Sequence, residues 1–252
     1  MSAHIYRGIV VVMPAFEPSA GLPARVHDLC GVLRCPVVVV DDGSSPPCRP
    51  FFDAVAEMPD CTVLRHDTNR GKGGALKTAF AFIAEHFPEC SGVITVDSDG
   101  QHSPEDCRRL ADKLAAGPRA LYLGVRDLSF AATPFRSWWG NRCTTLLFAL
   151  LFWRWVPDTQ TGLRAFRRQD IPFFLSVPGT GYEYEMAALA RAARAGMPFR
   201  MTSISTIYEA GNSSSHFHPL RDTIRIHRAL FSSFWGNVFF AETACTPLCD
   251  SV

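Results

Sequence analysis

The chain has 252 residues, 47% of them apolar and only 19% charged, against roughly 25% charged in an average soluble domain. That balance excludes a disordered chain and supplies a sizeable core. The 25 Lys+Arg against 24 Asp+Glu leave a net charge of +1, too weak a field to gather nucleic acid by counterion release.

Short β-branched runs alternate with segments of helical period through the first half. Ile9 to Met13 predicts a strand and Gly21 to Leu33 a helix; Pro36 to Val40 a strand and Pro50 to Met58 a helix. Cys61 to Leu64 predicts a strand and Lys72 to Phe87 a helix; Gly92 to Val96 a strand and Pro104 to Ala116 a helix. Successive strand–helix pairs indicate βαβ units and a parallel sheet covered on both faces. Further on, Trp138 to Trp155 is dense in aromatic and aliphatic residues, and Asp158 to Arg168 is polar with a β-like tail. Gly181 to Ala195 has helical spacing, Arg200 to Tyr208 is strand-like, Gly211 to His216 is a polar loop, and a last helix starts near Pro219. No repeat or low-complexity linker is visible.

The 9 cysteines, an odd number without a Cys-x-x-Cys pair, indicate neither a zinc ribbon nor a disulfide framework and fit a reducing cytoplasm. Ile9 to Phe16 reads as a buried strand and not a signal peptide. The uncharged runs Cys143 to Trp153 and Ala229 to Ala241 fall short of the ~18 residues of a spanning helix.

Ligands of parallel α/β sheets sit beyond the carboxyl ends of the strands, so the acidic clusters that follow two strands should face one crevice. Asp97-Ser98-Asp99 sets two carboxylates on one side of an extended segment, where hard oxygens suit Mg2+ or Mn2+, and Gln101 adds a neutral carbonyl. The plain alternative is a polar turn at Gly100. Asp41-Asp42-Gly43-Ser44 is either such a turn or a base reader, one Asp accepting from the ring N–H of uracil or guanine and the other orienting it. Asn69-Arg70-Gly71-Lys72-Gly73-Gly74 opens a helix, which suits anion binding or close glycine packing; its spacing is neither a Walker loop nor Gly-x-Gly-x-x-Gly. Glu183 and Glu185 read as first-turn charges favoured by the helix dipole. Trp138, Trp139 and Trp153, punctuated by Arg136, Arg142 and Arg154, suit either a core or a helix lying in a headgroup layer. His216 and His218 make only a weak metal pair.

Seven segments occur in a telling order: Met13-Pro14-Ala15-Phe16, Val39 to Ser44, Asn69 to Gly73, Val96 to His102, Gly124-Val125-Arg126, Asp158 to Phe166 and Gly181 to Glu185. With them the chain resembles, from about Ile9 to about Leu230, the inverting family 2 glycosyltransferases of the GT-A fold. The likeness is to the branch of dolichyl-phosphate mannose synthases and bacterial polyprenyl-phosphate glycosyltransferases. It implies a Rossmann-like α/β domain over 1–230, with a mostly parallel central sheet, helices on both faces and acceptor-side helices near a membrane, then an aromatic tail over 231–252. It implies that Pro14, Phe16, Asp41 and Asp42 hold the nucleotide, with Lys72 and Ser98 on the donor side, while Asp97, Asp99 and Gln101 hold Mg2+ or Mn2+. Arg126 and one of Arg136 or Arg142 match positions that meet the acceptor phosphate, and Asp158 stands where the family keeps an acid near the reacting centre. Two departures are Glu17-Pro18, where the family usually has Asn-Glu, and Asn212 to His216, where mannose synthases tend to have Ser-Lys.

The implied activity is transfer of a sugar from a UDP- or GDP-linked donor to a polyprenyl phosphate, by an enzyme peripheral to the cytoplasmic face of a membrane. An acceptor phosphate is already anionic and needs positioning by Arg126 and Arg136 more than a base. A hydroxyl acceptor would instead require a carboxylate such as Asp158 to take its proton. The alternatives are a family 2 transferase acting on a sugar or lipid hydroxyl and a non-catalytic nucleotide-sugar-binding module. No feature of the sequence bears on oligomeric state.

Overall fold

The computed structural model describes residues 8–126, 135–205, 228 and 230–232, with 135–140 described by backbone alone. The expected strand–helix pairs are present: β1 (Ile9–Ala15), α1 (Leu22–Leu33), β2 (Val37–Asp41), α2 (Arg49–Ala56), β3 (Cys61–Arg65), α3 (Lys72–His86), β4 (Gly92–Thr95) and α4 (Pro104–Ala116). There follow β5 (Leu121–Arg126), α5 (Phe135–Phe152), β6 (Arg164–Arg167), α6 (Ile171–Ser176), α7 (Glu183–Arg194) and β7 (Phe199–Ile204). The strand expected over 200–208 ends at Ile204 as far as described; the loop at 211–216, the start of the last helix and most of the tail lie outside the described residues.

One sheet runs in the order β3-β2-β1-β4-β6-β5-β7. β1 to β4 pair in parallel, as do β5 and β7, while β6 runs antiparallel to both β4 and β5. The sheet is therefore mostly parallel, with one reversed strand. Because side chains alternate across a strand, Val10, Val12, Val38 and Val40 pack toward α3, α5, α6 and α7. Ile9, Val11, Met13, Val37 and Val39 pack toward α1, α2 and α4. Burial on both faces explains the uninterrupted apolar runs of β1 and β2. Each such side chain contributes roughly 1.5–3 kcal/mol, so this half of the sheet is a rigid platform for the loops at its carboxyl edge.

The strand β5 and the short α6 add to the expected elements. Gly124 breaks the apolar run of β5 for a packing reason: a Cβ there would come within 2.7 Å of the Leu163 side chain. α4 starts as its sequence dictates, with Ser103 Oγ accepting from Asp106 N at 3.1 Å and Pro104 in the first turn.

The aromatic-rich stretch divides by face. Asn141, Thr144, Thr145 and Phe148 of α5 are buried, whereas Leu146 is 59% exposed, Leu150 70% and Trp153, just past the helix, 90%. No helix among the described residues is long and apolar enough to cross a membrane. The side chains of Arg136, Trp138 and Trp139 lie outside the described residues.

Candidate active site

β1, β2 and β4 are parallel, so Ala15, Asp41 and the segment after Thr95 emerge at one edge of the sheet. β6 runs the other way and therefore delivers its leading segment, 158–163, to that same edge. Four stretches that are distant in sequence meet there.

At the end of β1, Pro14 is buried and paired in register with Val40, and Phe16 is half-buried just beyond. Asp41 ends β2 and accepts from Ser44 N at 2.9 Å through Oδ1. Asp42 plays a different part. It is 2% exposed, and its carboxylate accepts from Arg70 N and Gly71 N, each at 2.8 Å, and meets His66 Nδ1 at 2.7 Å. His66 Nε2 in turn lies 2.9 Å from Thr78 Oγ1. With both oxygens engaged, Asp42 fastens the loop before α3. Glu17 is likewise occupied: its carboxylate accepts from Ser45 N at 2.6 Å and from Ser45 Oγ at 2.9 Å.

The glycine-rich entry to α3 serves close packing. Gly74 N donates to Thr180 O at 2.8 Å, and a Cβ on Gly73 would come within 2.4 Å of Tyr184 Cβ. Gly71 has φ +85, a region that glycine adopts without strain. The N–H groups of Arg70, Gly71 and Gly74 are thus satisfied by protein acceptors.

That packing brings Lys72 to the acidic segment. Its Nζ lies 2.7 Å from Asp97 Oδ1 and 2.7 Å from Glu185 Oε2. Burial alone would lower the Lys72 pKa, but the two carboxylates outweigh it and raise the value. For Asp97, burial favours the neutral acid, yet Lys72 prevails and holds the carboxyl well below the usual range. Glu185, a second-tier candidate in the sequence beside its reading as a first-turn charge, therefore lies against the acidic segment through Lys72. Gly162 lies against the same carboxylate: a Cβ there would stand 2.1 Å from Asp97 Oδ2, and its carbonyl is held by Thr95 Oγ1 at 2.8 Å. His102, its side chain 3% exposed, has Nε2 3.7 Å from Asp97 Oδ2. Ser98 offers its carbonyl to Arg25, at 3.2 Å.

The donors of this segment fit a hard divalent cation. Asp97, Asp99 and the neutral amide of Gln101 supply oxygen, and Asp99 Oδ1 accepts from Gln101 N at 3.1 Å. Burial and then the charge of Asp97 raise the Asp99 pKa, so added positive charge beside the pair would be favourable. Among the described residues no three His, Cys, Asp or Glu side chains converge. A six-coordinate ion would therefore need oxygens from a ligand as well.

On the other side of Gly162, Arg126 at the end of β5 grips Asp158 with two bonds, Nε to Oδ2 at 2.7 Å and a terminal nitrogen to Oδ1 at 3.1 Å. Asp158 is fully buried and also accepts from Gln160 N at 3.2 Å. Arg164 is buried under the site, donating to Thr161 O at 2.9 Å and to Glu185 O at 2.6 Å, which ties β6 to α7. Arg142 is exposed on α5.

With this arrangement in view, the likenesses to known proteins are informative. The family described as glycosyl transferase family 2 matches residues 10–172. The chain is 28% identical over 199 residues to polyprenol monophosphomannose synthase of Mycolicibacterium smegmatis, covering 74% of this chain and 72% of that one. It is 34% identical over 175 residues to undecaprenyl-phosphate 4-deoxy-4-formamido-L-arabinose transferase of Pseudomonas paraeruginosa, covering 67% of this chain and 49% of that one. Among solved structures, glucosyl-3-phosphoglycerate synthase of Mycobacterium tuberculosis, in complex with Mn2+, UDP and phosphoglyceric acid, has a TM-score of 0.69 at 18% identity. That match covers 94% of this chain and 80% of that one, a likeness of fold.

Proposed function

The chain belongs to glycosyl transferase family 2, and from that premise we propose that it transfers a hexose from a UDP- or GDP-linked donor to a polyprenyl phosphate, inverting the anomeric carbon. The observation that carries this reading is the two-point grip of Arg126 on Asp158, at 2.7 and 3.1 Å. The guanidinium engages both carboxylate oxygens and the side chain is fully buried, so neither oxygen is turned toward an acceptor hydroxyl. A hydroxyl acceptor would need a base. A phosphate monoester carries its negative charge already and can attack without surrendering a proton. The names of relatives support the same acceptor class, among them undecaprenyl-phosphate mannosyltransferase of Micrococcus luteus, 26% identical over 199 residues.

Asp41 would accept the ring N–H of the base, with Pro14 and Phe16 beside it, while Asp42 keeps the neighbouring loop in place. Asp97, Asp99 and Gln101 would hold Mg2+ or Mn2+, which supplies positive charge against the leaving diphosphate when bound. Lys72 and Glu185 fix the orientation of Asp97. Arg126, oriented by Asp158, and Arg136 would position the acceptor phosphate. Its oxygen forms the new bond to the anomeric carbon as the bond to the diphosphate breaks, and the configuration inverts. The exposed Leu146, Leu150 and Trp153 support a peripheral seat on a membrane surface.

The test is release of nucleoside diphosphate from a panel of UDP- and GDP-sugars, with polyprenyl phosphate or a hydroxyl acceptor supplied. Release that depends on polyprenyl phosphate and on a divalent ion is expected. Turnover with hydroxyl acceptors alone would overturn the acceptor assignment, and absence of turnover with every pair would overturn the enzymatic one.

A further inference from the structure

Cys30, in the last turn of α1, and Cys61, the first residue of β3, bring their Sγ atoms to 3.5 Å. Both are free thiols and only partly buried, unlike Cys35, Cys48, Cys90 and Cys107. Cys61 pairs in register with Val37, the first residue of β2. The two sulfurs thus sit at the amino edge of the sheet, opposite the edge that carries Asp41 and Asp97. They are 31 residues apart in sequence, and β3 is an outermost strand of the sheet.

We propose that Cys30 and Cys61 are a modification site, a dithiol that closes to an intramolecular disulfide on meeting a small disulfide oxidant such as glutathione disulfide. The hydrogen bond from Cys61 lowers the Cys30 pKa, against burial and the charge of Asp60, so Cys30 is the attacking sulfur. Its thiolate displaces one glutathione thiolate and forms a mixed disulfide. Cys61, giving up its proton to solvent, then attacks the Cys30 sulfur and expels the second glutathione. The two protein thiols lose two electrons and two protons, and the oxidant is reduced to two glutathione thiols. A short side-chain rotation brings the sulfurs from contact to bonding distance. The crosslink ties an edge strand to α1 and restricts the unfolded chain, so it stabilises the fold. This inference is independent of the proposed sugar transfer, because the pair is remote from that edge.

The full-length protein is incubated with glutathione disulfide, free thiols are blocked, and peptides are mapped without reduction alongside thermal unfolding. The expected result is a Cys30–Cys61 linked peptide lacking two hydrogens and a melting temperature higher by roughly 5–10 °C, reversed by dithiothreitol. Cys30→Ser and Cys61→Ser should each abolish both changes. Glutathione added only to the exposed Cys143, or a melting shift that persists in either variant, would overturn the proposal.

Discussion

Lys72 Nζ lies 2.7 Å from Asp97 Oδ1, so the first side chain of α3 neutralises the carboxylate that follows β4. The pair has a definite pH signature in metal-free protein. Asp97 titrates below its unfolded value, so its contribution is present above about pH 4 and fades as pH falls through the lower folded value. Lys72 titrates above its unfolded value, so its contribution is present below about pH 10 and fades as pH rises through the higher folded value. Lys72→Met leaves two carboxylates without their cation. It should cost about 3 kcal/mol at pH 7, the low end for breaking a buried pair because both partners retain some exposure. Urea unfolding with an unchanged slope checks this; a midpoint equal to wild type would refute it.

Glu185 shares that ammonium at 2.7 Å. Glu185→Gln removes the competitor, leaving Lys72 to Asp97 alone and reducing the negative charge offered to an incoming ion. Mn2+ affinity, measured by electron paramagnetic resonance, should weaken about tenfold, the lower range for residues that orient metal ligands. Affinity equal to or tighter than wild type would count against Asp97 as a ligand.

Asp41 and Asp42 are neighbours with separable roles. Asp41→Ala should weaken UDP or GDP binding by about 1.5–3 kcal/mol, typical of a hydrogen bond to a charged group, with a smaller loss of stability than Asp42→Ala because only Ser44 N loses its acceptor. Asp42→Ala leaves Arg70 N without its acceptor and Gly71 N with only Asn69 Oδ1, removes the partner of buried His66, and should cost roughly 2–4 kcal/mol of stability. Calorimetric titration and urea unfolding of both variants decide it, and swapped results would reverse the assignment.

Gly162→Ala is a sharp test of the acidic segment. The added methyl would overlap Asp97 Oδ2, 2.1 Å away, and the hydrogen bond from Thr95 resists retreat of the backbone. Displacing Asp97 by about 1 Å should lower turnover by at least 10²-fold, with circular dichroism unchanged. Full activity would show that Asp97 can relocate freely.

For the exposed face of α5, a Leu146→Ser/Leu150→Ser double variant should fold normally, each change being worth within about 0.5 kcal/mol at exposed sites. Flotation with liposomes containing anionic lipid should drop for the variant relative to wild type. Equal flotation would place the contact elsewhere.

The first half of this fold is legible in sequence because buried parallel strands leave unbroken runs such as Val37 to Val40, each followed by a helical period. β5 is obscured by Gly124, whose packing against Leu163 only the folded chain reveals. α6, at 6 residues, is too short for periodicity to register. The reversal of β6 has no local signature, since pairing direction is set by the path of the chain. In the site, strand-end position singles out Asp41 and Asp97, but dividing labour between Asp41 and Asp42 depends on which backbone N–H groups come near. The meeting of Glu185 with Lys72 could not be found from spacing alone: it arises because Gly73 lets α3 lie directly against Tyr184.

The reversed strand also governs when the protein is vulnerable during its own synthesis. β4 pairs with β1 on one side, and its other edge waits for β6: Thr95 and Arg164 are 69 residues apart. At roughly 5–20 residues per second, the ribosome leaves that edge uncovered for several seconds, with unpaired N–H and C=O groups that can template pairing with another chain. A nascent chain halted between residues 97 and 158 carries Asp41 and Asp97 but neither Gly162 nor Asp158, so it is an open-edged half-sheet prone to aggregate before any site exists.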